Sequence, residues 1–109
     1  SNTTTNNNSL DYTDAIEDLS RSIELNKEFS LAYYNRGNLY CQQRNFKKGI
    51  EDYTQAIEID KLPQAYYNRG LTLIYLKETE KGCLDISKAG ELGIKQAYNV
   101  IKRYCSTED

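Results

Sequence analysis

The sequence predicts an all-α fold, an α-solenoid of stacked antiparallel helix pairs, and three observations carry that expectation. Tyr33-Tyr34-Asn35-Arg36-Gly37 recurs unchanged as Tyr66-Tyr67-Asn68-Arg69-Gly70. The register extends past the identity. Ala32, Lys48, Gly49, Asp52, Ala56 and Glu58 fall on Ala65, Lys81, Gly82, Asp85, Ala89 and Glu91, and with the offset one longer Tyr12, Ile16, Asp18 and Ile23 fall on Phe46, Ile50, Asp52 and Ile57. Between these marks apolar residues keep the 3–4 spacing of amphipathic helices. A period of about 34 residues built from helices means stacked pairs that bury a continuous core and present an extended surface.

Residues 1–10, SNTTTNNNSL, are polar and uncharged and read as a tail or linker. Ser1-Asn2 can be a cloning remnant and is left out of fold reasoning. Asp11 caps a first helix to about Leu25, with Tyr12, Ala15, Ile16, Leu19 and Ile23 on its apolar side. Asn26 to Phe29 form a turn, and a second helix runs from about Ser30 to Gln43. Asn45 caps a third, about Phe46 to Ile59. Pro63 opens a fourth, where proline is tolerated in the first turn, ending near Lys77. The fifth spans about Thr79 to Leu92, closed by Gly93. A sixth, Lys95 to Cys105, carries Ala97, Val100, Ile101 and Tyr104 as an apolar stripe and serves as a terminal cap. The expected organisation is a tail at 1–10, a repeat array at 11–92 (a partial unit 11–29, then units 30–62 and 63–92) and a capping segment at 93–109. Gly37, Gly49, Gly70 and Gly82 lie inside these helices. A helical glycine costs about 1 kcal/mol relative to alanine, so its repetition points to close approach of helix axes.

The residues resemble the tetratricopeptide repeat. Its pattern of an aromatic, a small residue, a second aromatic and a later Ala reads here as Tyr33-x2-Arg36-Gly37-x2-Tyr40, Gly49-x3-Tyr53 and Ala56, and again as Tyr66-x2-Arg69-Gly70-x2-Leu73, Gly82-x3-Ile86 and Ala89. Ala15-x3-Leu19 followed by Ser22 looks like the second half of an earlier unit. The resemblance covers about residues 11 to 92. The chain departs from the pattern in three ways: the closing proline moves from Lys61 to Pro63, the inter-repeat loop is one residue short, and Arg replaces the usual apolar residue before each Gly. Lys88-Ala89-Gly90-Glu91-Leu92-Gly93 followed by Ala97 resembles the Sel1-like variant. The resemblance implies a right-handed superhelix that binds proteins or peptides.

Composition narrows the function classes. The net charge of −2 offers nothing basic for nucleic acid, and no stretch approaches the ~18 apolar residues that a membrane span needs. The absence of Met means that Ser1 is not an intact translation start, so a processed product or a piece of something longer is expected. Cys41, Cys83 and Cys105 are odd in number and lack CxxC spacing. They read as reduced thiols packed as small hydrophobes, which leans towards a reducing compartment such as the cytoplasm. There is no His, no nucleophile beside a base and no phosphate loop, so no enzyme activity, metal or cofactor is expected.

In the family the first helix of each pair lines a concave groove. That face maps here onto Leu31, Tyr34, Asn35, Asn38, Cys41 and Gln42, then Gln64, Tyr67, Asn68, Leu71, Ile74 and Tyr75, with Tyr98 and Lys102 extending it. One reading makes Tyr34 and Tyr67 ordinary repeat packing. The other, favoured here, makes Tyr67, Leu71, Ile74 and Tyr75 an apolar strip for a partner, with Asn35 and Asn68 either able to hydrogen-bond an extended peptide or simply frequent surface residues of the repeat. The Lys/Asn/Asn/Lys/Arg clamp by which some members hold a C-terminal carboxylate is matched only at Asn38, Asn68 and roughly Lys102. Tyr34 and Tyr98 stand where its cations would be, so that specificity is not expected.

Arg36 and Arg69 should be stem-buried and paired, Arg36 with Asp18 or Asp52 and Arg69 with Asp52 or Asp85. The first helix matches a second-of-pair helix, yet residues 1–10 are too few and too polar to supply its partner, though they are expected to cover part of its face. Tyr12 and Leu19 are therefore expected to touch a second copy or a neighbour's apolar groove, and an additional helix is expected immediately upstream in the parent protein. The alternative function is accordingly self-assembly, a homodimer or larger oligomer formed through exposed repeat ends.

Overall fold

The computed structural model describes residues 11–106. The expectations for the 1–10 tail, and for the last three residues of the capping segment, lie outside them. The described chain is all-α: α1 (Thr13–Leu25), α2 (Ser30–Gln42), α3 (Phe46–Asp60), α4 (Pro63–Tyr75), α5 (Thr79–Glu91) and α6 (Gln96–Val100), which continues into a π-helical turn, π1 (Ile101–Cys105). Each helix packs on its chain neighbours, most closely α2 on α3 and α4 on α5.

Local chemistry sets the boundaries. The Asp11 carboxylate accepts from the Thr13 backbone N–H at 3.0 Å and from its hydroxyl at 2.6 Å, and Asn45 accepts from the Lys48 N–H at the start of α3. Leu62 is extended, as a residue before proline prefers, and Pro63 then opens α4. The turn inside each pair is the same motif twice. Arg44 (φ 65°) and Lys77 (φ 73°) stand left-handed, and Asn45 N–H and Glu78 N–H reach back to the carbonyls of Tyr40 and Leu73, both at 2.8 Å. This closure normally takes glycine, as it does after α5, where Gly93 has φ 108° and Ile94 N–H bonds the Ala89 carbonyl.

The helical glycines sit where the two axes of a pair meet. A Cβ built on Gly37 would lie 3.1 Å from the Gly49 carbonyl oxygen, and one on Gly70 would lie 2.8 Å from that of Gly82. Around these contacts the core is Ile23, Ala32, Tyr33, Tyr53, Ala56, Ile57 and Ala65 in one cluster and Ile86, Ala89 and Ala97 in the next. Tyr40, Ile50 and Tyr66 are half-buried.

The capping segment differs from expectation in two respects. Ala97 is fully buried like Ala32 and Ala65, so α6 begins as the first helix of a further pair. It does not remain α-helical to Cys105, because π1 interrupts it. The step from Ala97 to Lys102 is one residue longer than the corresponding step from Ala65 to Arg69, and a wide turn accommodates that surplus.

The cysteine reading is corrected. Cys83 and Cys105 form a disulfide, their Cα atoms 5.8 Å apart, and only Cys41 is a free thiol. Spacing along the chain could not reveal it, since the pair meets only because π1 returns against α5. The leaning towards a reducing compartment loses its basis. No helix among the described residues is long and apolar enough to cross a membrane.

Candidate functional site

The repeated Arg and Asp residues belong to the scaffold. Arg36 binds Asp52 through two bonds of 2.8 Å, and Arg69 binds Asp85 at 2.7 and 2.9 Å, the bidentate geometry that suits guanidinium to carboxylate. The expected pairing therefore resolves to the Asp within the same helix pair. Asp52 and Asp85 are buried, and their hydrogen bonds hold both guanidinium groups protonated beyond the ordinary arginine range. The remaining Nη1 of Arg36 donates to Ser20 at 2.9 Å, and that of Arg69 donates to Thr54 at 3.0 Å. Each Arg thus ties its own pair to the preceding helix. The hydroxyl partners escaped the sequence reading, although Ser20 and Thr54 hold equivalent places in successive units.

The expected surface residues divide into two groups. Tyr34, Asn38 and Asn68 join through hydrogen bonds: the Asn68 amide donates to the Tyr34 hydroxyl at 3.2 Å and to Asn38 Oδ1 at 2.9 Å. Asn38 Oδ1 also accepts from the hydroxyl of buried Tyr53, whose phenol burial holds protonated well above its ordinary pKa. These two asparagines are consequently engaged with each other across adjacent repeats. Their side chains are left with a donor on Asn38 Nδ2 and an acceptor on Asn68 Oδ1 that bond nothing among the described residues.

Leu71, Ile74 and Tyr75 form the second group. With Lys77, Thr79 and Tyr104 they line a groove of about 600 Å³ between the end of α4 and π1. Tyr75 is 56% exposed. Its ring packs at 5.4 Å from that of Phe46, and its hydroxyl accepts from Arg44 at 3.0 Å, so the left-handed turn residue of one pair braces the groove of the next. Tyr67 is half-buried against the Ile86 cluster together with Leu71 and Ile74. Asn35 is exposed and shares no bond with either group. Phe46, Arg44 and Tyr104 were missed as site residues, because the contacts of the first two cross from one repeat to the next and π1 carries the third to the groove.

Residues 30–61, the α2–α3 pair, match the family model Tetratricopeptide repeat. A 46-residue stretch, 42% of this chain, is 37% identical to Tetratricopeptide repeat protein 6 of Homo sapiens. The match covers only 9% of that protein's length. Repeat sequence and stacked helix pairs agree, and together they support the tetratricopeptide repeat family.

Proposed function

We propose that this chain is a protein-interaction adaptor that takes an extended peptide or partner segment in the groove of α2, α4 and π1. The observation that carries the reading is the apolar groove bounded by Leu71, Ile74, Tyr75 and Tyr104. An apolar side chain of the partner fills it, Tyr75 and Tyr67 acting as aromatic anchors. Asn38 Nδ2 and Asn68 Oδ1 supply one donor and one acceptor for the partner's backbone, and Asn35 and Tyr34 extend the polar edge. We read residues 88–97 as a Sel1-like variant of the repeat, whose role is to bring Tyr104 to the groove wall. Self-assembly is the second reading and uses the ends of the stack rather than the groove.

The test is selection of peptides from a random library against the intact chain, with affinities then measured calorimetrically. Tyr75→Ala is expected to weaken the selected peptides by about 2 kcal/mol while leaving the melting temperature nearly unchanged. Failure to select any peptide, or peptides indifferent to Tyr75→Ala and Leu71→Lys alike, would sink the groove reading.

A further inference from the structure

We infer that this chain assembles head to tail, the face of α1 that no other described helix covers docking in one copy on α6 and π1 of the next. Two periodic charge series carry the inference. The acids Asp18, Asp52 and Asp85 recur once per unit, and so do the cations Arg36, Arg69 and Lys102. Arg36 takes Asp52 and Arg69 takes Asp85. The remaining members are an acid at one end of the stack and a cation at the other. Asp18 keeps only a 3.6 Å contact with Arg21 on its own helix, with side-chain exposures of 80% for Asp18 and 64% for Arg21. Lys102 is exposed and forms no ion pair among the described residues.

The helices themselves show the same incompleteness. Helix α1 corresponds to α3 and α5, the second members of pairs, but packs chiefly on α2. At the position where α3 and α5 bury Tyr53 and Ile86, Leu19 of α1 is only half-buried, and Ala15 is exposed where Gly49 and Gly82 are buried. Helix α6 begins as the first member of a pair and packs on α5. Among the described residues α1 is a second helix without a first and α6 a first helix without a second, and the two together make a pair. Where they would meet, the C-terminal end offers a groove of about 590 Å³ lined by Asn99, Val100, Lys102, Arg103 and Tyr104.

Charge complementarity selects a second copy as the occupant. Helix α1 carries Asp14, Glu17, Asp18 and Glu24 against the single cation Arg21, whereas α6 and π1 carry Lys102 and Arg103 and no acid. The two surfaces differ, so the contact is heterologous and extends into chains of copies rather than closing as a dimer. Exposed charges so placed are screened by salt, with a Debye length of about 10 Å at 0.1 M.

Sedimentation and light scattering of the chain against concentration test this. The weight-average mass should rise from 12.6 kDa past that of a dimer, and fall back as salt is added. Asp18→Lys blocks one end and Lys102→Glu the other, so each variant alone should be monomeric. Mixed one to one, they should assemble again as alternating copies, since every contact is then either the native charge pair or its matched reversal. The double variant carries a reversed but matched pair and should regain assembly. Both positions are exposed, and unchanged helical circular dichroism verifies that the variants fold. A wild-type chain that stays monomeric at millimolar concentration overturns the inference, as do single variants that still assemble. It is overturned equally if that monomer binds a peptide of the α2 sequence, Ser30–Gln42, in a manner that Asp18→Lys abolishes. The α1 face would then take a foreign arginine-bearing helix instead.

Discussion

Asp52 and Asp18 occupy the same place in the repeat and lead opposite lives. The first lies in α3, buried, with both carboxylate oxygens on Arg36. The second lies in α1, exposed, beside Arg21, which is exposed as well. Nothing in their immediate sequence separates them, since Ile-Glu-Asp precedes and includes both. The difference arises from having a helix on the other side. In the interior of a repeat stack a residue is defined by its neighbours.

The largest expected contrast is between these two acids. Asp52→Ala leaves a mostly buried guanidinium without its partner and should cost about 3–5 kcal/mol, and Arg36→Met, which strands the buried Asp52 carboxylate, should cost a similar amount, since only replacing both members by apolar side chains approaches neutrality. Asp18→Ala should stay within about 0.5 kcal/mol. Urea midpoints of the three variants give the answer, and similar losses for Asp52→Ala and Asp18→Ala would end the comparison.

The two ends should also differ in their dependence on covalent support. The Cys83–Cys105 bridge closes a loop of 22 residues, and loop-closure entropy for that length gives about 3 kcal/mol. Cys105→Ser should therefore lower the melting temperature to that of the reduced wild type. Amide exchange should quicken in α6 and π1 and remain slow in α2 and α3. Uniform acceleration across the chain would mean that the cap and the interior are a single cooperative unit.

Glycine positions sharpen the comparison further. Gly82→Ala would place a methyl group 2.6 Å from the Gly70 carbonyl oxygen, overpacking that should cost about 1–3 kcal/mol. Gly90 has only ordinary contacts, the nearest being the Ala97 Cβ at 3.4 Å. Alanine there should be neutral or gain up to about 1 kcal/mol from helix propensity. Thermal melts of the two variants should shift in different directions.

The smallest effect concerns the turns. Gly93→Ala forces a left-handed conformation on a side chain and should cost about 1 kcal/mol, while Lys77→Gly, which relieves the same conformation, should gain roughly 0.5 kcal/mol. If both substitutions destabilise, the left-handed turns are held by their side chains rather than tolerated by them.

Periodicity made the helices, the Gly–Gly contacts and the Arg–Asp pairing legible, because each is repeated and repetition exposes which positions move together. The groove was half legible. Leu71, Ile74 and Tyr75 follow from helical phase, but Tyr104 depends on a π turn, and Asn38 with Asn68 on two repeats facing each other. The sequence by itself determined that this protein is a stack of helix pairs and which residue types meet inside each pair, since those meetings are local and recur with every unit. Tertiary structure alone decided that Cys83 meets Cys105, that Arg44 braces Tyr75, and that Asp18 stands without the arginine its equivalents hold. Those contacts occur once, between elements whose approach no period records.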